Sequence, residues 1–426
     1  MKKISKILLY VYAFLVFYTP NFFNNGYLNY SIPFILMLCG GMTILFHKGL
    51  GFKSILNKKN VFILFVLFFI SSIYFLIRSL LAGTEFYELD KLRIVQNFMM
   101  LCSFVCVFVI IIKLEQLNYN REQKISFILN VAWIQSFTCI LMLVFPSLKE
   151  IIVHQLLLDG EGNAFTIAKR MYGITMNYTF ATPVFHAILA TIALIYGLYK
   201  NKKYYFYIPF LLLSIILNGR TGLLVFALGA VLVFLFYLID TKKIIKVLSI
   251  AIIFIFIVLV VFGILKFVKY DTYLFFIDGI NDMLQFLFEG EKEGNIDYLS
   301  TGWKDGIKNV NIIFGEGYRI YIDSVIPESI DNEGFNTDIG YMNDLYMGGI
   351  LYMLFLYSSI IIFVCMGINK EKDRRINKLI YFIMLLMIFI CNIKGEIFRS
   401  TIILDLVVFI KLILCDIKFI KKERFN

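Results

Sequence analysis

Apolar residues in this chain come in long blocks separated by short polar breaks, and the blocks have the length of membrane-crossing helices. A helix needs about 17 to 25 residues to cross a hydrocarbon core of about 30 Å. Twelve blocks approach that length: residues 7–20, 28–46, 60–82, 94–112, 125–145, 177–199, 203–218, 222–239, 244–268, 343–366, 379–393 and 400–415. The first, seventh, eleventh and twelfth are short, which suits tilted, interfacial or re-entrant helices. Two polar insertions interrupt the series, a smaller one over 146–176 and a larger one over 269–342. In the smaller, Leu148 to Leu158 is apolar with Lys149, Glu150 and His154 interspersed, a pattern suited to lying along a membrane surface. In the larger, Leu274 to Phe288 predicts an amphipathic helix, Tyr298 to Val310 a second helix, and Gly315-Glu316-Gly317 a turn.

Composition agrees with the pattern. The 426 residues are 60% hydrophobic and 17% aromatic, with a mean hydropathy of +0.80, outside the range of soluble domains. The expected fold is an all-α integral membrane protein, a single polytopic domain over 1–426. It would have about twelve transmembrane helices and one large extracytoplasmic loop.

Charge orients these helices, because short cytoplasmic loops hold the Lys/Arg excess. With the N-terminus inside, 25 of the 41 basic residues fall in cytoplasmic segments, among them Lys200, Lys202, Lys203, Lys242, Lys243, Arg374 and Arg375. Thirteen fall outside and three within spans. An even number of spans returns the C-terminus to the cytoplasm, so the 269–342 loop faces out. That loop holds fourteen Asp/Glu against five Lys/Arg, a local charge of −9 in a chain of net charge +11. The basic residues sit in small clusters beside spans and form no stripe, which argues against a nucleic-acid partner.

All seven cysteines lie in apolar blocks, so a disulfide-stapled external domain is not expected. Cys102 and Cys106 share a helix face without nearby His or acidic ligands and read as packing residues. With three histidines in the chain and no calcium-loop spacing among the carboxylates, neither a metal nor a cofactor is expected. No small-residue cleavage site follows Phe14 to Tyr18, so no cleavable signal peptide is expected.

External cations run against the positive-inside bias, and Arg220 is the sharpest of them. It sits in Asn218-Gly219-Arg220-Thr221-Gly222, a minimal turn between two apolar blocks. The flanking glycines let backbone approach a ligand, and a planar five-donor cation suits a phosphate or pyrophosphate. The other reading is an arginine that snorkels to lipid headgroups. Arg170, Arg319, Lys394 and Arg399 are further external cations, with Glu396 placed to neutralise one of the last two. Arg78, Lys266 and Lys411 lie near span ends and read as snorkelling. Asp405 falls within the twelfth block, where a carboxylate needs a partner or water. His186, three residues after Pro183, reads as a buried polar contact. Where the large loop meets the tenth block, Asp338, Tyr341, Asn343 and Asp344 gather groups that bind sugar hydroxyls, and Asp338 is a candidate base. Asn343 and Asp344 would equally cap the helix that follows.

Several of these segments resemble the polysaccharide polymerase and O-antigen ligase superfamily. They are Lys169-Arg170-Met171-Tyr172-Gly173, Asn218 to Gly222, Ile312 to Tyr318, and Asp338-Ile339-Gly340-Tyr341 with Gly348-Gly349. The ligase branch is expected to carry a His just before the Asn that starts the tenth span. Here Met342 precedes Asn343, and the loop has no His, so the chain is more similar to the polymerases. The resemblance implies a GT-C-like membrane glycosyltransferase in the bacterial cytoplasmic membrane, working without a cofactor. Its donor and acceptor would be polyprenyl-pyrophosphate-linked oligosaccharides, with membrane lipids, a flippase and a chain-length regulator as partners. It implies catalytic roles for Arg220 and Asp338, and substrate contacts from Arg170, Arg319, Tyr341, Asn343, Lys394 and Arg399. A lipid-linked oligosaccharide flippase or transporter is the alternative from another class.

Overall fold

A computed structural model describes residues 2–20, 34–42, 59–82, 87–153, 169–175, 180–288, 310–317, 339–368 and 373–415. The sequence calls at Asp338, Arg319 and nearly all of Tyr298–Val310 lie outside these residues. Every regular element among the described residues is helical. In chain order they are α1 (Lys2–Tyr18), α2 (34–42), α3 (Lys59–Ala82), α4 (Tyr87–Gln116), α5 (Arg121–Val144), α6 (Pro146–Ile152) and α7 (Ala181–Tyr199). Then follow α8 (Tyr207–Asn218), α9 (Arg220–Thr241), α10 (Ile244–Val268), α11 (Tyr270–Phe288), α12 (Gly340–Cys365), α13 (Arg374–Cys391) and α14 (Thr401–Leu414). Among the described residues, seven helices are long and apolar enough to cross a membrane: α3, α4, α5, α7, α9, α10 and α12. The chain is a multi-pass membrane protein by this measure. The amphipathic helix expected from Leu274 to Phe288 forms within α11, and Gly315-Glu316-Gly317 forms its turn with both glycines at positive φ.

Two compact units divide the chain. Unit 1 comprises Met1–Ile32, Tyr119–Glu289 and Lys372–Met387. Helix α7 is its axis, with residues Ala181 to Leu198 all buried. Its small residues admit close neighbours, and α9 answers with Gly222 and Gly229. A Cβ on Gly222 would stand 2.6 Å from the Pro183 side chain, and one on Gly229 would stand 2.7 Å from Thr191. Small residues two turns apart on one face are how apolar helices approach closely where no hydrophobic effect drives them together. Helix α10, by contrast, turns most of its apolar surface outward, as a lipid-facing helix does.

Ion pairs gather at one end of unit 1. Asp373 takes Lys200 at 2.9 Å and Arg121 at 3.5 Å, and Arg375 pairs with Asp240, which also accepts from the Tyr199 hydroxyl at 2.9 Å. Arg220 stands at the other end of α9, 20 residues from Asp240 or about 30 Å along the helix. The two ends are thus a hydrocarbon core apart.

Unit 2 comprises Pro33–Asn118, Gly290–Glu371 and Ile388–Asn426. Its centre is α12, and α12 is broken. Gly349 has φ 66° and ψ −172°, which interrupts the helix in its middle. A break inside an apolar helix exposes backbone groups that lipid cannot satisfy. Residues 310–317 form a hook that satisfies them from both sides. Glu316 and Gly317 donate their N–H groups to Tyr346 O, and Ile350 and Leu351 donate to Ile312 O and Ile313 O. From α3, Tyr74 Oη donates to Gly348 O at 2.6 Å, and Arg78 donates to Met347 O and, at 2.8 Å, to Phe314 O. Gly315 must be glycine for this seat, with φ 71° and the backbone N–H of Gly349 only 2.5 Å from where a Cβ would lie.

Arg78 therefore does not snorkel. It is buried, paired with Asp90 of α4, and bonded to both the hook and the break. Asn343 and Asp344 do not cap α12 either, because the helix begins at Gly340 with Ile339 in the cap position and without a side-chain cap.

Candidate functional site

Two cations of unit 1, Arg170 and Arg220, converge on one aromatic ring. Residues 169–175 are stitched to their surroundings by backbone and side-chain hydrogen bonds. Met171 N donates to Leu217 O at 3.1 Å, Gln135 Nε2 donates to Tyr172 O at 2.9 Å, and Gln135 Oε1 accepts from Ile174 N at 3.1 Å. Gly173 takes φ 66° where the chain bends past Gln135. Thr272 at the start of α11 donates its hydroxyl to Lys169 O at 2.7 Å, tying that stretch to the helix that carries Phe275.

The Arg170 guanidinium carbon lies 5.4 Å from the Phe275 ring centroid, and that of Arg220 lies 4.3 Å from it. Each such contact stabilises by about 0.5–1 kcal/mol at an exposed site. The ring thus brings two like charges close together. Arg220 is the first residue of α9, so the positive end of the helix dipole and its first-turn N–H groups point the same way. Gly279 gives the Arg220 side chain room: a Cβ there would meet Nη1 at 2.1 Å and Cδ at 2.5 Å.

An apolar cluster supports these groups from beneath. Ile216, Leu217, Met171, Leu265 and Phe276 are buried in it, and Phe275 and Leu148 pack against it. Lys149 follows Leu148 on α6. Burial first, and then the Lys269 charge, lower its ammonium from the usual 10.5 to about 8. Crowded cations of this kind favour a bound dianion, which relieves their mutual repulsion.

The site residues expected in unit 2 form a different structure. Arg399 faces two carboxylates, Nε at 3.0 Å from Asp344 Oδ1 and Nη2 at 2.7 Å from Glu396 Oε1. These contacts are ionic, the N–H groups not being aimed at the oxygens. Asp344 Oδ2 accepts from Tyr357 Oη at 2.6 Å and from Asn392 Nδ2 at 3.3 Å. Tyr341 spends its hydroxyl on Phe389 O at 2.7 Å, and Asn343 is buried in the first turns of α12. Lys394 lies in the turn after α13. The charge of Arg399 is already balanced here, and this knot secures the start of α12 to the turn before α14.

Two other expectations found their partners. His186 lies between Tyr18 Oη at 2.7 Å and Ser214 Oγ at 2.9 Å, the buried polar contact anticipated. Asp405 is buried in α14 and accepts from the Ser103 hydroxyl of α4. Among the described residues no group of three or more His, Cys, Asp or Glu is placed to hold a metal.

No known protein family, curated protein or solved structure matches this chain.

Phe275, Gly279 and Thr272 were missed in the sequence because the α11 segment reads only as an amphipathic helix. A glycine inside such a pattern does mark close approach, and here the approaching group is Arg220.

Proposed function

We propose that this chain is a membrane glycosyltransferase that polymerises polyprenyl-pyrophosphate-linked oligosaccharide repeat units, with the Arg170–Arg220 cluster holding the pyrophosphate. The observation that carries the reading is the convergence of two guanidiniums on Phe275 at the N-terminus of α9. In this reaction an acceptor hydroxyl attacks the anomeric carbon of the donor, the bond to the pyrophosphate oxygen breaks, and negative charge grows on the leaving group. Fixed donors aimed at that charge lower the barrier. Arg220 and Arg170 are those donors, Lys149 and Lys269 add positive potential, and Asp338 is the candidate base for the acceptor hydroxyl. Arg399 is left out of the phosphate set because Asp344 and Glu396 neutralise it.

In the same reading the protein crosses the bacterial cytoplasmic membrane twelve times in a GT-C-like arrangement, with both termini cytoplasmic. Supporting this, the described residues of each of the twelve apolar blocks fall largely on a helix. In addition, residues assigned by charge to opposite sides of the membrane stand at opposite ends of α9. A flippase for the same lipid is the second reading, favoured by the broken helix α12, since discontinuous helices recur in transporters.

Purified protein given lipid-linked repeat units should produce a ladder of longer glycans. Intact donor with no elongation would overturn polymerisation, and movement of the labelled lipid across a vesicle membrane in its place would establish the flippase. A Gly279→Ala variant offers a finer test. Alanine is the better helix former by roughly 0.5–1 kcal/mol, so the Tm should not fall, yet the added methyl displaces Arg220 and elongation should slow by tenfold or more. Unchanged elongation would mean that the position of Arg220 over Phe275 has no bearing on the reaction.

A further inference from the structure

The end of unit 1 opposite Arg220 holds a cavity of about 350 Å³ between the last turns of α9 and the first turns of α13. Its walls are Phe236 and Ile239 on one side and Leu379 and Phe382 on the other, joined where the Phe236 and Phe382 rings meet edge to face at 6.1 Å. Ile239 is 72% exposed and Phe382 50% exposed, so the cleft opens outward, and in a membrane-spanning chain outward means lipid. Its mouth is cationic. Arg375 and Lys378 line it, Arg374 precedes them, and Lys242 and Lys243 follow α9.

Arg375 pairs with Asp240, yet its side chain remains 75% exposed, leaving most of its five-donor fork available. Arg374 and Lys378 make no ion pair or side-chain hydrogen bond among the described residues. The N-terminus of α13, an 18-residue helix, adds its own positive end to the mouth. An apolar cleft beneath a cationic rim at a helix end matches one kind of molecule: an anion carried on an acyl chain.

We infer that this cleft is a binding site for an anionic glycerophospholipid, with one acyl chain between α9 and α13 and the headgroup phosphate on Arg374, Arg375 and Lys378. The site rests on the membrane-spanning reading and is independent of the reaction proposed for the Arg220 end.

Native mass spectrometry of the full chain, equilibrated with dioleoylphosphatidylglycerol or dioleoylphosphatidylcholine, tests it. Phosphatidylglycerol should be retained preferentially by wild type. Each basic residue near a membrane surface contributes about 1 kcal/mol, a factor of about five, so Arg374→Gln/Lys378→Gln should weaken retention on the order of twenty-five-fold. Both side chains are exposed and spare the Arg375–Asp240 pair. Ile239→Trp, which fills the exposed cleft without changing charge, should weaken retention by tenfold or more. Equal retention of the two lipids would overturn the site. So would a result in which Ile239→Trp binds as wild type does, because the rim alone would then attract lipid without any cleft. Elongation by the cation pair variant reports separately on the reaction, so failure of either proposal leaves the other standing.

Discussion

Arg220→Ala is expected to lower the rate of glycan elongation by about 10²–10³-fold, the loss seen when one fixed donor to a developing oxyanion is removed. Arg220 occupies the first position of α9, where alanine is a good helix former, so the helix should still start at the same place. The size-exclusion profile in detergent should stay that of a folded protein, and loss of the contact with Phe275 should lower stability by about 0.5–1 kcal/mol. Arg220→Lys separates charge from shape. Lysine keeps the charge but lacks the planar fork that lies on Phe275 and whose shape suits two phosphate oxygens at once. A partial rate, between wild type and alanine, is the expected result. Elongation by the alanine variant within threefold of wild type would remove Arg220 from the reaction and leave it as a lipid-headgroup anchor.

The second large effect is on stability. Arg78→Ala should destabilise unit 2 by about 3–5 kcal/mol, the range found when one partner of a buried ion pair is removed. Asp90 would be left buried without its guanidinium, and the carbonyls of Met347 and Phe314 would lose a donor. An Asp90→Asn/Arg78→Met pair should recover part of that loss, because no uncompensated charge remains. Thermal unfolding in detergent measures both. If Arg78→Ala melts with wild type, the arginine is not the link between α3 and the break in α12.

Much of the helical layout is legible in the apolar pattern, because length and composition alone demand helices in a membrane. The ends of those helices are less so. Asn343 and Asp344 look like a cap in sequence, yet α12 starts at Gly340 and Asp344 turns inward to Tyr357 on the same helix and to Asn392 and Arg399 about fifty residues on. Arg78 misleads for a similar reason. Its place near the end of an apolar block suggests snorkelling, and only the position of Asp90 twelve residues later and the hook more than two hundred residues later reverses that. Arg170 and Arg220 were recognisable as outliers of the charge pattern. Their meeting over Phe275 was not, since nothing local marks an aromatic on a distant amphipathic helix as their common neighbour.

The break at Gly349 also sets an order of assembly. Carbonyls at Tyr346, Met347 and Gly348 accept from the 310–317 hook and from α3. A helix entering the bilayer alone would have to stay continuous to keep those groups bonded. The kinked form of α12 is therefore expected to form only once α3 and the hook are in place.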